Sequence, residues 1–100
     1  MGRMTSGKLT FYDVVLEADN FGEELGVYAL MPWNKDSVTI VCHPEEQTGL
    51  FAVVDGIRYD YLIQISILCE IFDGLSRMLG REATIDEKCD RIIEYAMDDA

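Results

Sequence analysis

Cys42 and His43 stand side by side with Glu45 and Glu46 just beyond, the one place in the chain where thiol, imidazole and carboxylate groups crowd together. A thiol next to an imidazole suggests nucleophilic catalysis, and the same four residues suggest a metal site. Either chemistry needs a geometry that adjacency opposes. Neighbouring side chains on a strand project to opposite faces, so the imidazole cannot take the thiol's proton, and no third group is spaced to orient the ring. His43 is the only histidine, and Cys69 and Cys89 lie at no zinc-ligand spacing from it or from Cys42. An enzyme built on His43 is therefore the weakest functional expectation, and no catalytic residue, metal or cofactor is assigned.

Other chemical signatures fail in similar ways. Gly2 to Lys8 spells the GxxxxGK of a phosphate-binding loop, but Leu9 follows where Ser or Thr would ligate magnesium, and no strand is expected before it or helix after it. Met1-Gly2 with Ser6 fits the loose myristoylation pattern, yet one acyl chain holds a membrane weakly and an acidic body is repelled by anionic lipid. Glu23-Glu24 and Glu45-Glu46 are adjacent carboxylates in wet, loop-like surroundings, without the desolvation or charged partner that tunes an acid for proton transfer.

The residues with the most to say are the carboxylates. There are 19 Asp and Glu against 8 Lys and Arg in 100 residues, a formal charge of -11. The excess is uneven. Asp13, Glu17, Asp19, Glu23 and Glu24 follow one another without an intervening base, and Asp86, Asp90, Glu94 and Asp98 fall at i, i+4 spacing near the end of the chain. Such a field disfavours nucleic acid and anionic membranes and attracts basic protein surfaces. The bases are scattered among acids, so no basic, aromatic-interleaved surface for direct nucleic-acid binding is present.

The elements that must position these groups follow from periodicity. The chain reads as one domain over 1–100, with a flexible N-terminus at 1–7, an antiparallel sheet over about 8–59, and helices over about 60–79 and 84–98. That is an α+β fold with a four- to five-stranded sheet packed against two C-terminal helices. Alternation in Leu9 to Ala18 predicts a strand that points Asp13 and Glu17 outward. Val27 to Met31, Ser37 to Cys42 and Leu50 to Val54 predict three more strands, with Pro44 to Gly49 as a polar loop. Asp55-Gly56 predicts a type I′ hairpin leading to a brief fifth strand at Ile57 to Tyr59. Ser66, Glu70, Asp73 and Arg77 form one polar stripe on an otherwise apolar helix, with an i, i+4 Asp73–Arg77 pair, a close contact or bend at Gly74, and Gly80 as terminator. Thr84 and Glu87 form a capping box for the last helix.

The column Asp86, Asp90, Glu94, Asp98 on that helix contains no base, and like charges at this spacing cost roughly 0.2 to 0.5 kcal/mol each. Local stability does not favour it, which points to a basic partner. Trp33, in a turn after Pro32, is the aromatic best placed to anchor such a partner, whereas the tyrosines fit the sheet core. The three cysteines fall in apolar stretches, are odd in number, and suit a reducing cytoplasmic setting; no apolar run is long enough to span a bilayer. The expected function is a non-enzymatic protein that binds the basic surface of another protein, such as a nucleic-acid-binding enzyme, through Asp13, Glu17, Asp19, Glu23, Glu24, Trp33, Asp86, Asp90, Glu94 and Asp98. In size and charge alone this is similar to phage-encoded inhibitors of defence nucleases and to toxin-immunity proteins. The alternative is an acidic chaperone or assembly adaptor that uses apolar surface around Leu62 to Leu79, a surface that would equally serve a homodimer.

Overall fold

The computed structural model describes residues 9–43 and 51–98. An antiparallel sheet of five strands forms in the order β1-β3-β2-β5-β4, made of β1 (Leu9–Thr10), β2 (Gly26–Ala29), β3 (Val38–Cys42), β4 (Phe51–Val54) and β5 (Ile57–Gln64). Helices α1 (Phe11–Leu16), α2 (Ile65–Leu79) and α3 (Ile85–Asp98) pack on one face of it, giving the α+β architecture. The expectations for the 1–7 tail, the GxxxxGK stretch, the Pro44 to Gly49 loop and the Glu45-Glu46 pair lie outside the described residues.

The stretch Leu9 to Ala18 is not a strand. Only Leu9 and Thr10 pair, with Thr39 and Val38 of β3, and the chain then turns into α1 and a 3-10 turn at Ala18–Asn20. The cause is a second capping box. Thr10 Oγ1 accepts from the Asp13 amide at 3.2 Å, and the Thr10 amide donates to Asp13 Oδ2 at 3.0 Å. Phe11, Val14, Val15 and Ala18, at i, i+3, i+4 and i+7, are the residues buried, while Leu16 on the alternating face is 55% exposed. Helical burial outcompetes the period-two pattern. A helix therefore does begin soon after Lys8, contrary to the expectation for that segment.

The second correction is at the start of α2. The expected helix from Asp60 is strand as far as Gln64, and β5 pairs with both β4 and β2. The register against β2 shifts between Val27 and Tyr28, so Leu62 and Ile63 both enter the helix-side core. No loop separates β5 from α2, which is why no turn signal marks the junction. Gln64 offers no side-chain cap; instead the Ile65 and Ser66 amides donate to the carbonyls of Leu25 and Glu23 at 2.9 and 3.2 Å.

Other features follow the sequence closely. Asp55 and Gly56 both have positive φ, 55° and 78°, and join β4 to β5 as the I′ turn requires. Gly80 caps α2 in the left-handed region at φ 73°. Thr84 Oγ1 accepts from the Glu87 amide, and Glu87 accepts from the Thr84 amide at 2.8 Å, closing the box that starts α3. Gly74 is different: it is exposed and a Cβ there would meet nothing within 4 Å, so it marks no close packing.

Two apolar clusters sandwich the sheet. The larger joins Phe11, Val14, Val27, Ala29, Ile63 and Leu68 with Cys89 and Ile92 of α3. The smaller lies on the opposite face, where Tyr28, Ala52 and Tyr59 are buried among Val38, Ile40 and Tyr61. Tyr28 and Tyr61 meet edge to face at 5.5 Å, and the Tyr28 hydroxyl is buried without a hydrogen-bond partner among the described residues.

Candidate protein-binding surface

The acidic turn that follows the 3-10 segment is held against α2 by backbone contacts. Gly22 to Leu25 forms a turn closed by the Leu25 amide on the Gly22 carbonyl, and its Glu23 and Leu25 carbonyls dock on the first amides of α2. Glu24 folds back over its own turn, where a Cβ on Gly22 would meet Oε1 at 2.8 Å. Glu23 is thereby fixed beside α2. Asp19, from the preceding 3-10 turn, approaches the same helix.

These groups converge on a concavity of about 390 Å³ between the 18–24 segment, α2 and the start of α3. Asp19, Glu23, Asp73 and Glu82 supply four carboxylates, Phe72 is the apolar wall, and Lys88 is the one base lining it among the described residues. Lys88 is held in place: its Nζ lies 2.9 Å from Glu82 and 4.9 Å from the Phe72 ring centroid, with the side chain only 14% exposed. Burial, followed by the charges of Asp19, Glu23 and Asp73, pushes the Cys69 thiol above its ordinary pKa. The thiolate is thus disfavoured, and the dominant property of the site is negative potential rather than nucleophilicity.

The residues expected to bind a partner separate into groups. Asp13 spends its carboxylate on the α1 capping box. Glu17, Asp19, Glu23 and Glu24 are exposed and make no ion pair with any described base. The α3 column is less bare than its spacing implies. Asp86 pairs with Lys35 at 3.2 Å and Glu94 with Arg91 at 3.3 Å, whereas Asp90 and Asp98 make no ion pair among the described residues. The repulsion along the column is relieved by Lys35 from a neighbouring loop and by Arg91, three positions before Glu94 on the same helix. The first acidic segment is therefore the less neutralised of the two, reversing the weight that spacing alone gives them.

Asp73 and Glu82 join the surface with no local sequence signal, because their neighbours Asp19 and Glu23 are distant in sequence. The expected Asp73–Arg77 pair does not form: Arg77 makes no ion pair with a described residue, leaving Asp73 to the concavity. No protein-family model, curated protein or solved structure matches the chain. The chemistry of the surface is thus read from its own geometry.

Trp33 lies on the far side of α3. It is half-buried against the helix-side core, and its Nε1–H donates to the Ala29 carbonyl at 3.1 Å. The loop carrying it is tied to the start of α1, because the Phe11 and Tyr12 amides donate to the Ser37 and Lys35 carbonyls, each at 2.9 Å. A groove of about 350 Å³ runs between this loop and α3, bringing Trp33 together with Asp86 and Asp90.

Of the cluster at Cys42 and His43, Glu45 and Glu46 lie outside the described residues. Cys42 joins the outer-face cluster with Ile40, while His43 is half-exposed just past the end of β3. Among the described residues no group of three or more His, Cys, Asp and Glu is placed to hold a metal. No described helix is long and apolar enough to cross a membrane. Much of the apolar surface between Leu62 and Leu79 is spent in the core, through Leu62, Ile63, Ile65, Leu68 and Phe72; Met78, at 73% exposure, is the main remainder.

Proposed function

We propose that the chain is a non-enzymatic acidic protein-binding protein, an inhibitor that occludes the basic nucleic-acid-binding surface of another protein in the manner of anti-defence or nuclease inhibitors. The observation that carries this reading is the convergence of Asp19, Glu23, Asp73 and Glu82 around one partly sheltered lysine. Carboxylates held at fixed positions on a rigid backbone offer a basic channel what a phosphate array offers it, and they do so without the conformational cost of a disordered acidic tail. Association would be fast and strongly weakened by salt. The odd cysteine count suits action in the cytoplasm.

The test is capture by the immobilised chain from a lysate at low salt, elution at high salt, and a competition assay on what elutes. The reading requires a nucleic-acid-binding protein whose nucleic-acid binding falls as the chain is added. Asp19→Asn with Glu23→Gln and Asp73→Asn should weaken that competition. If the partner binds equally well at high salt, or does not bind nucleic acid at all, the proposal fails. One observation favours an adaptor as second reading: Val54 and Ile57, at 39% and 40% exposure, flank the β4–β5 hairpin beside the tyrosine cluster. Capture that survives high salt and is lost on Val54→Asp would support it.

A further inference from the structure

We infer that the groove between the Trp33 loop and α3 receives an arginine side chain from the basic partner, stacking its guanidinium against the indole and pairing it with Asp86 and Asp90. The inference rests on the proposed function for the partner's charge and adds which contact anchors it.

Three features of the groove select this occupant. The indole is a fixed wall: its one polar atom is committed to the Ala29 carbonyl, and its loop is fastened to α1 by two backbone hydrogen bonds, with Ser37 Oγ donating to the Pro32 carbonyl at 3.0 Å inside the loop. A wall already ordered loses little freedom when a ligand stacks on it. Asp86 and Asp90 line it from successive turns of α3 together with Asp36, against Lys35 as the single base lining the groove among the described residues. Lys35 meets Asp86 from an exposed position, 51% and 63% for the two side chains, so the pair is weak and exchangeable. Ile93 completes the lining with an apolar surface for a methylene stem.

Arginine fits this combination better than lysine. Its planar guanidinium stacks on an aromatic face and keeps N–H donors at its edge for two carboxylates, whereas an ammonium is a compact, strongly hydrated charge. Asp90, without an ion pair among the described residues, supplies the second acceptor that Lys35 leaves unused.

Trp33 is the only tryptophan, so its indole N–H gives a single, assignable NMR resonance at the groove. The full chain should be titrated at low salt with a short arginine-rich peptide, its lysine counterpart and its neutral citrulline counterpart. The expected result is a saturable shift of the Trp33 indole and of the Asp86 and Asp90 amides with the arginine peptide, about fivefold weaker with lysine and absent with citrulline. Asp86→Asn with Asp90→Asn should weaken it about tenfold or more, and Lys35→Ala should tighten it by removing the competing cation. Shifts confined to Asp19, Glu23 and Asp73 with the indole unmoved would overturn the inference and leave the basic-partner reading standing. Binding of none of the cationic peptides would overturn both.

Discussion

Two glycines six residues apart, Gly74 and Gly80, should respond to the same substitution with opposite signs. Gly74 lies inside α2, exposed, and a Cβ built on it meets nothing within 4 Å. Alanine there reduces the backbone freedom lost on folding without meeting a steric obstacle, so Gly74→Ala should stabilise the fold by about 1 kcal/mol. For a domain of this length that corresponds to a rise in Tm of about 4–8 °C. Gly80 also has open space around it, but its φ of 73° is strained for any residue with a Cβ. Gly80→Ala should therefore destabilise by about 1 kcal/mol, separating the two variants by about 2 kcal/mol. Thermal unfolding followed by far-UV circular dichroism, repeated by urea titration, measures both. A Gly74→Ala variant that is neutral or less stable would refute the reasoning, since it would mean that something covers α2 at that position.

Three further outcomes follow from individual groups. Hydrogen bonding to Arg81 and to the Thr84 amide holds Glu87 down to about 2 from an ordinary 4.5, so its contribution to stability is complete above about 4.5 and is lost as pH falls toward 2. The stability gap between the parent and Glu87→Gln should accordingly be widest near neutrality and close over that acid window; a gap independent of pH would contradict it. Tyr28→Phe removes a buried hydroxyl that has no partner among the described residues and should leave the protein as stable or about 1 kcal/mol more stable by urea titration, whereas a loss would reveal a hydrogen bond to that hydroxyl. Burial, reinforced by the charges of Asp86 and Asp90, raises the Cys89 thiol to about 11, so alkylation at mildly alkaline pH should label it only after denaturation; rapid labelling of the native protein would show that α3 opens readily.

What could be read from the chain and what could not divide along a physical line. Asp55-Gly56, Gly80 and the Thr84–Glu87 box were legible because each encodes its structure within four residues. The α1 helix was equally encoded, by Thr10 with Asp13 and by the Phe11, Val14, Val15, Ala18 spacing, but a coincident alternation of Tyr12, Val14 and Leu16 obscured it. The end of β5 carried no local mark at all. Its boundary is set by the turn carbonyls of Glu23 and Leu25, which cap α2 from about forty residues away in sequence, as only a tertiary contact can. The candidate surface was half legible for the same reason: Asp19 and Glu23 stand out as a run, while their association with Asp73 and Glu82 depends on how α2 packs. Trp33 and the Asp86–Asp90 pair were each recognised, but their shared groove depends on the loop docking against α1.

The carbonyl caps at the start of α2 also govern how the acidic turn can move. Lifting Glu23 away from the body would strip the Ser66 amide of its acceptor, and lifting the whole turn through Leu25 would strip the Ile65 amide as well and expose the first turn of the helix. The turn and the helix are thus joined by two backbone hydrogen bonds, and displacing the turn as a unit leaves both amides unsatisfied. A macromolecule approaching this side would encounter a stamp with its pattern already cut, and the burden of adjustment would fall on the visitor. Amide hydrogen exchange at Ile65 and Ser66 would register any departure from that state as paired, simultaneous loss of protection.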